Sequence, residues 1–428
     1  MSDNMRVHLK NLGPINEANI NINKVTIVGG HNATGKSTLS KFLYSFLRSN
    51  SYNREKIAYK DIVNLIREES RYIASFLRRN NHENYRNFNR GYFIIRNNED
   101  FNAILDDYEN IKNDFYNLDI TNNDKKEVLE KFNQIDNLID IVNQNDDSLY
   151  ISLMRSLLES EFSTTNFNSL IEIIGINNSF KFIIDFKNHD FTSDDAFICK
   201  GGIILNDVYY IDSISILDMF DNIRFSSKKP IDHIDFLKKN LINNSNDTLN
   251  VFDDKINKNI IDLEKEIKSI INGNFIYENR EFSFSCENGI SSLMHNTASG
   301  IKQIGIIQLL LSNRKLKENC FLIIDEPEVN LHPDWQFKLA NILMLLVKKL
   351  NVSIYINTHS PLFIEAINAF SEYYDLDDET NYYLAEKSDE NELFNLNEVK
   401  SSELSKIYDN LGKPYFAIDQ VRLEKELE

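Results

Sequence analysis

The stretch IVGGHNATGKSTLSKFL, Ile27 to Leu43, decides how the chain is read. Gly30 and Gly35 frame four residues, and Gly35 leads straight into Lys36, Ser37 and Thr38. Before the glycines, Val25 to Val28 is β-branched throughout, the composition of a buried strand. After them Leu39, Phe42, Leu43, Phe46 and Leu47 recur on one helical face. Strand, Gly-rich turn and helix together make a phosphate cradle. The N–H groups of the turn and of the helix N-terminus face the anion. Lys36 reaches the β- and γ-phosphates, and the Ser37 hydroxyl coordinates Mg²⁺.

Two further strands carry chemistry at their ends. In NCFLIIDEPEVNLHPDWQ, Asn319 to Gln336, the apolar run Phe321–Ile324 reads as a strand buried on both faces and closes on Asp325 and Glu326. An acid at the C-terminal end of a parallel strand lies on the ligand edge of the sheet. Asp325 there suits the Mg²⁺ shell, and Glu326 suits the general base that takes a proton from the attacking water. In NVSIYINTHSP, Asn351 to Pro361, a third apolar strand ends on His359, which is placed to sense a γ-phosphate. In NTASGIKQIGIIQLLL, Asn296 to Leu311, the residues Ile301, Ile304, Ile307 and Leu311 keep helical spacing. Ser299 and Gly300 therefore open a helix N-terminus, a second anion-binding position.

The order of these segments resembles the ABC-type ATPase heads of the RecF, SMC and OLD group. Within that group the compact form is similar to the ATPase subunits of bacterial anti-phage systems of the Septu and retron-associated kind. The resemblance covers residues 1–48 and 275–428 and implies an α/β fold, an ABC-type P-loop ATPase head. It implies ATP held by Gly30, Asn32, Gly35, Lys36, Ser37 and Thr38, with Ser299 and Gly300 supplied by a second subunit. It implies Mg²⁺ on Ser37 and Asp325, and catalysis by Glu326, His359 and Lys36. Partners follow from the same resemblance. They are a homodimer or higher homo-oligomer with composite ATP sites, and a separate effector, a nuclease, that the ATPase regulates. Nucleic acid would be met through that complex. The alternative is a RecF-like repair ATPase that itself binds DNA ends or junctions. The group usually carries a Gln between the P-loop helix and the Ser-Gly helix, but no Gln lies between Lys36 and Gln134. OLD-type proteins add a nuclease domain; here Asp375 and Asp377 in YYDLDDET read as an acidic surface turn.

Residues 49–274 read as a mostly helical insertion with a strand-bearing patch. Val128, Phe132, Ile135, Ile139 and Val142 mark one amphipathic helix; Ile256, Ile260, Leu263, Ile267 and Ile270 mark another. Neither sustains the heptads of a long coiled coil. Phe180–Phe186 and Asp207–Leu217 alternate like strands. Asn143–Asp147 and Asn243–Asp247 read as loops. A basic and aromatic segment, Phe76–Asn98, interleaves Arg78, Arg79, Arg86, Arg90 and Arg96 with Tyr85, Phe88 and Tyr92. Such a segment suits a phosphate backbone, but in a chain of net charge −18 the favoured expectation is that the arginines pair with carboxylates. That charge also counts against autonomous DNA binding. The scattered Cys199, Cys286 and Cys320 lack metal-type spacing and predict a reduced, cytoplasmic protein without a membrane span.

Overall fold

The computed structural model describes residues 5–51, 54–79, 82–98, 100–118, 122–144, 147–162, 169–175, 180–185, 197–200, 205–212, 231–242, 254–278, 281–286, 291–293, 299–389 and 391–413, with 418 and 422. The chain divides into two compact units, Met1–Tyr52 with Arg155–Glu428, and Asn53–Met154. The strands are β1 (Met5–Leu12), β2 (Ile15–Ile22), β3 (Val25–Gly29), β4 (Leu170–Gly175), β5 (Lys181–Asp185), β6 (Phe197–Lys200), β7 (Val208–Ile211), β8 (Gly273–Glu278), β9 (Glu281–Cys286), β10 (Ser291–Leu293), β11 (Phe321–Asp325), β12 (Ser353–Thr358), β13 (Thr380–Lys387) and β14 (Phe394–Val399). The helices are α1 (Lys36–Ser49), α2 (Arg54–Arg79), α3 (Tyr85–Asn97), α4 (Phe101–Tyr116), α5 (Asn122–Gln144), α6 (Asp147–Glu161), α7 (Asp232–Ile242), α8 (Asp254–Ile271), α9 (Ser299–Ser312), α10 (Pro333–Leu350) and α11 (Pro361–Tyr373).

The first unit is built on an 11-stranded sheet, in the order β6-β5-β4-β1-β2-β14-β13-β3-β12-β11-β7, and carries a separate 3-stranded sheet, β10-β9-β8. From β13 to β7 every neighbouring pair is parallel. From β6 to β2 every pair is antiparallel. Side-chain patterning separates the two halves. VTIVG in β3, FLIID in β11 and SIYINT in β12 are buried at every position, as parallel strands covered on both faces must be. MRVHLKNL in β1 alternates, with Met5, Val7 and Leu9 inside and Arg6 and Lys10 outside, as a strand with one wet face does. Because β3, β12, β11 and β7 run the same way, their C-terminal ends share one edge of the sheet. Thr358 pairs with Gly29, Asp325 with Asn357, and Ile324 with Ile211. The residues expected to carry chemistry follow those ends.

The span 49–274 is divided between the two units. Phe180–Phe186 and Asp207–Leu217 supply β5 and β7, which join the large sheet rather than a separate body; residues 186 and 213–217 lie outside the described residues. A short strand alone leaves its backbone groups unpaired, and addition to an existing sheet edge satisfies them. In α8, Ile260, Leu263 and Ile267 are buried at the expected spacing, while Ile270 is only partly covered and Ile271 takes the inner place. The second unit is helical, α2 to α5 and the start of α6, around Ile66, Ile73, Phe88, Tyr108, Phe115, Val128, Phe132 and Ile135. Asn143 and Gln144 close α5 and Asp147 opens α6, so the expected loop between them narrows to 145–146; those residues and Asn243–Asp247 lie outside the described residues. No described helix is long and apolar enough to cross a membrane.

The expected pairing of the arginines is corrected in the second unit. Among the described residues Arg71, Arg78, Arg79, Arg86, Arg90 and Arg96 have no carboxylate partner. In the same unit Glu69 pairs with Lys131, and Asp136 and Glu109 pair with Lys112. Arg71, Ala74, Ser75 and Arg78 of α2 face Tyr85, Asn89 and Tyr92 of α3 across a cleft of about 120 Å³. The Arg78 guanidinium stands 6.0 Å from the centre of the Tyr85 ring.

Candidate functional site

The turn between β3 and α1 takes its shape from two constraints. Gly35, at the N-cap of α1, has φ 93°, and a Cβ there would stand 2.6 Å from Cγ1 of Ile15. Only glycine fits both the dihedral and the space. Ala33 also lies in the left-handed region, at φ 64°. Asn32 and Ser37 are exposed and Thr38 half-buried, whereas Lys36 is buried. Its ammonium folds back over the turn, with Nζ donating to the carbonyls of Gly30 at 2.7 Å and His31 at 2.6 Å. Burial pulls the Lys36 pKa below the usual lysine value, while Glu326, Asp325 and Glu328 oppose it. One ammonium thus lies within electrostatic reach of three carboxylates.

Asp325 ends β11 and is buried, and its carboxylate is held on both oxygens. Oδ1 accepts from Ser40 Oγ and from Asn357 Nδ2, each at 2.6 Å. Oδ2 accepts from the Tyr210 hydroxyl at 2.8 Å. Asn357 Nδ2 also lies 2.7 Å from Ser40 Oγ, which closes the group on one side. Burial, and then the charge of Asp325, push the Tyr210 phenol well above its usual pKa, so it remains a donor.

Glu326 follows with φ 47°, a left-handed backbone on a residue with a long side chain. A neighbouring strand holds it there: Glu326 N–H donates to the Asn357 carbonyl at 2.8 Å. Strain of this kind costs about 1–3 kcal/mol and persists where the surroundings impose it. Its carboxylate lies 3.7 Å from His359 Nδ1. Glu328, buried two residues on, binds His359 more closely. Its Oε1 accepts the His359 backbone N–H at 2.6 Å and stands 3.1 Å from Nδ1, out of line for a hydrogen bond to the ring. Ser360 caps α11 through Phe363 N–H and donates to Gln336, so the turn after β12 is pinned as well.

The sheet edge therefore brings Lys36, Asp325, Glu326 and His359 together. Ser299 and Gly300 open α9, and the Ser299 side chain lies outside the described residues. Gln134 lies in α5 of the second unit. Asp375 is in an exposed turn with its Oδ2 3.7 Å from Lys348 Nζ, and Asp377 opens a single 3₁₀ turn. Sequence reasoning missed Ser40, Tyr210, Glu328 and Asn357. Ser40 follows Ser37 at i+3, on the same helix face, which was a usable signal.

Three polar atoms of this group, Asn357 Oδ1, Glu328 Oε2 and His359 Nδ1, are buried without a hydrogen-bond partner. Orphaned polar atoms in a native site call for a polar ligand or ion. The donor chemistry fits Mg²⁺: the ligands are oxygens, and three carboxylates share one ammonium. Asp325 and Ser37 are the residues that would hold it.

The AAA ATPase domain family matches residues 5–364. No curated protein matches the chain. Among solved structures it is similar to the SMC head domain from Thermotoga maritima, at 11% identity over 94% of this chain and 100% of that one, TM-score 0.39. It is similar to an Smc head bound to the C-winged helix domain of ScpA, at 10% identity over 94% of this chain and 98% of that one, TM-score 0.44. It is similar to the ADP conformation of an ATP-binding cassette of an ABC transporter, at 8% identity over 98% of this chain and 99% of that one, TM-score 0.35.

Proposed function

The chain belongs to the AAA ATPase domain family, and from that premise we propose that it hydrolyses ATP with Mg²⁺ and uses the cycle to control a separate effector. The observation that carries this reading is the cluster at the sheet edge, where Lys36, Asp325, strained Glu326 and His359 meet. Lys36 and the N–H groups of residues 30–38 bind the phosphates. Mg²⁺, when bound, neutralises phosphate charge and orients the phosphates. Glu326 takes the proton of the attacking water, and the twist of its backbone sets where its carboxylate points. Glu328 fixes His359, which reports on the terminal phosphate. Ser299 and Gly300 of a second copy complete each site, so that ATP joins two heads and hydrolysis releases them. Turnover by wild type, Lys36→Ala and Glu326→Gln tests the chemistry. Lys36→Ala should lose ATP affinity. Glu326→Gln should bind ATP and stall, and unchanged turnover would remove Glu326 from the role of base.

The wider role we infer is that of an anti-phage ATPase that restrains a nuclease effector until triggered. Its support is the motif resemblance, GHNATGKST with DEPEVNLHPDWQ and NTHSP. Copurification with the product of the adjacent gene, in ATP, ADP and no nucleotide, tests it. A second reading, direct nucleic-acid binding as in RecF-like repair, is favoured by the unpaired arginines and the Arg71, Arg78, Tyr85 and Tyr92 cleft. Arginines for phosphates and tyrosines for stacking suit a single strand.

A further inference from the structure

Asp325 is gripped from a side that the nucleotide motifs do not supply. Ser40 and Asn357 share Oδ1; among the described residues the other oxygen has one protein partner, Tyr210. Tyr210 lies on β7, the edge strand beyond β11, opposite Ile323 in the register. Its ring is buried and confined. The His233 imidazole lies 4.5 Å away centre to centre, and the Tyr44 ring 6.1 Å away. His233 is locked in turn. Its Nδ1 stands 2.6 Å from Glu161 Oε2, its Nε2 3.2 Å from Asp212 Oδ2, and its backbone N–H donates to Glu161 Oε1 at 3.1 Å. Tyr44 donates to Asp232 at 2.7 Å, and the Asp232 N–H donates to Ser160 Oγ at 2.7 Å, which ties both flanks of the cage to the ends of α6 and α7.

Burying an ionised His between two acids costs several kcal/mol per ion before the pairing is counted. An apolar side chain at 233 would fill the same space without that cost. What the cluster adds is a ring pinned at Nδ1 by Glu161, with the Asp212 carboxylate 3.2 Å from Nε2 as a neighbouring charge, out of line for a hydrogen bond. A carboxylate anchored through one oxygen can still turn about its Cβ–Cγ bond; a donor on the second oxygen stops that turn, and a donor is only as fixed as its own support.

We propose that Tyr210 is a positioning residue for Asp325, and that the buried Glu161–His233–Asp212 cluster holds Tyr210 so that the Asp325 carboxylate keeps the orientation its metal needs. This rests on the reading of Asp325 as part of the Mg²⁺ site. It brings the segments around 161, 212 and 233 into the working of a site whose recognisable motifs all lie elsewhere.

The test is nucleotide binding by the full chain, followed by the fluorescence of an N-methylanthraniloyl ATP analogue, first in EDTA and then during Mg²⁺ titration. If Mg²⁺ does not strengthen binding in wild type, the Mg²⁺ reading itself fails. If it does, Tyr210→Phe should bind the analogue in EDTA as wild type does, and need about 10–100-fold more Mg²⁺ for the same gain. His233→Gln should shift the Mg²⁺ requirement in the same direction. A Tyr210→Phe titration that overlays wild type overturns the proposal. So does equal loss of binding with and without Mg²⁺, which marks Tyr210 as a general structural residue.

Discussion

Titrating His233 tests the buried cluster by itself. Burial alone would lower the imidazole pKa, but Asp212 and Glu161 outweigh it and hold the group at about 9, against 6.5 for an ordinary His. A pKa raised on folding means that the folded chain binds the proton more tightly than the unfolded chain. The contribution is therefore complete below about pH 6.5, falls as pH rises, and is gone once pH passes about 9. A proton held at about 9 instead of 6.5 contributes about 3 kcal/mol to folding, at 1.36 kcal/mol for each tenfold in proton affinity. The groups facing the ring are Glu161 and Asp212 at its nitrogens and the Tyr44 and Tyr210 rings at its edge and face; Lys41, whose Nζ donates to the Glu161 carbonyl at 3.3 Å, adds its charge to the Asp212 side and is common to both proteins compared. Denaturant unfolding of wild type and His233→Gln, compared between about pH 6 and pH 10, isolates the effect, because groups common to both cancel. The wild-type advantage should shrink by about 3 kcal/mol across that range. A difference that stays flat, or grows with pH, would show that His233 is buried neutral and refute the ion-cluster reasoning.

Glu328→Ala leaves the His359 N–H without its acceptor and should cost about 1–3 kcal/mol along with much of the turnover, while Glu328→Gln keeps an acceptor oxygen and stays near wild type. Thermal midpoints and kcat for the pair check this, and equal loss in both variants counts against the backbone role. Lys36→Ala and Ser299→Arg should each be inactive alone, yet regain hydrolysis when mixed, since some dimers then carry one intact composite site. Failure to recover despite demonstrated subunit exchange argues against a site shared between copies. Replacing Arg71 and Arg78 with Ala should lower the salt slope of single-stranded oligonucleotide binding, read by anisotropy, by about 1.4, two phosphate contacts at about 0.7 each. An unaltered slope takes the α2–α3 cleft out of nucleic-acid binding.

What the sequence made legible was local. Val25–Lys36 declares a strand, a turn and a helix within a dozen residues, and Phe321–Asp325 declares a buried strand with an acid at its end. The support for those residues was not legible, because it comes from distant segments. Tyr210 reaches Asp325 only once β7 has paired with β11, and nothing in DVYYIDSISIL announces that partner. Glu328 reads as one more solvated acid in DEPE until the turn after β12 is folded against it. Asn357, inside INTHS, looks like punctuation and is instead buried and bonded to both Asp325 and Ser40. The arginines of α2 and α3 were misjudged for a related reason. Net charge is a property of the whole chain, whereas pairing depends on which acids a helix places within about 4 Å. Here Asp136 and Glu69 face lysines, and no described carboxylate pairs with those arginines.

The sheet order also fixes a timetable for synthesis. Among the described residues β3, which leads into the phosphate-binding turn, has β12 and β13 as its neighbours in the sheet. On a ribosome adding about 5–20 residues per second, β3 waits roughly 15–65 s before Ser353–Thr358 exists to receive it. Throughout that interval VTIVG is an apolar, β-prone segment with no permanent partner. A nascent chain truncated before β12 should therefore be a client for segment-binding chaperones, and its phosphate-binding turn should be unformed. The arrangement that makes the finished site rigid also makes its first element the last to be secured.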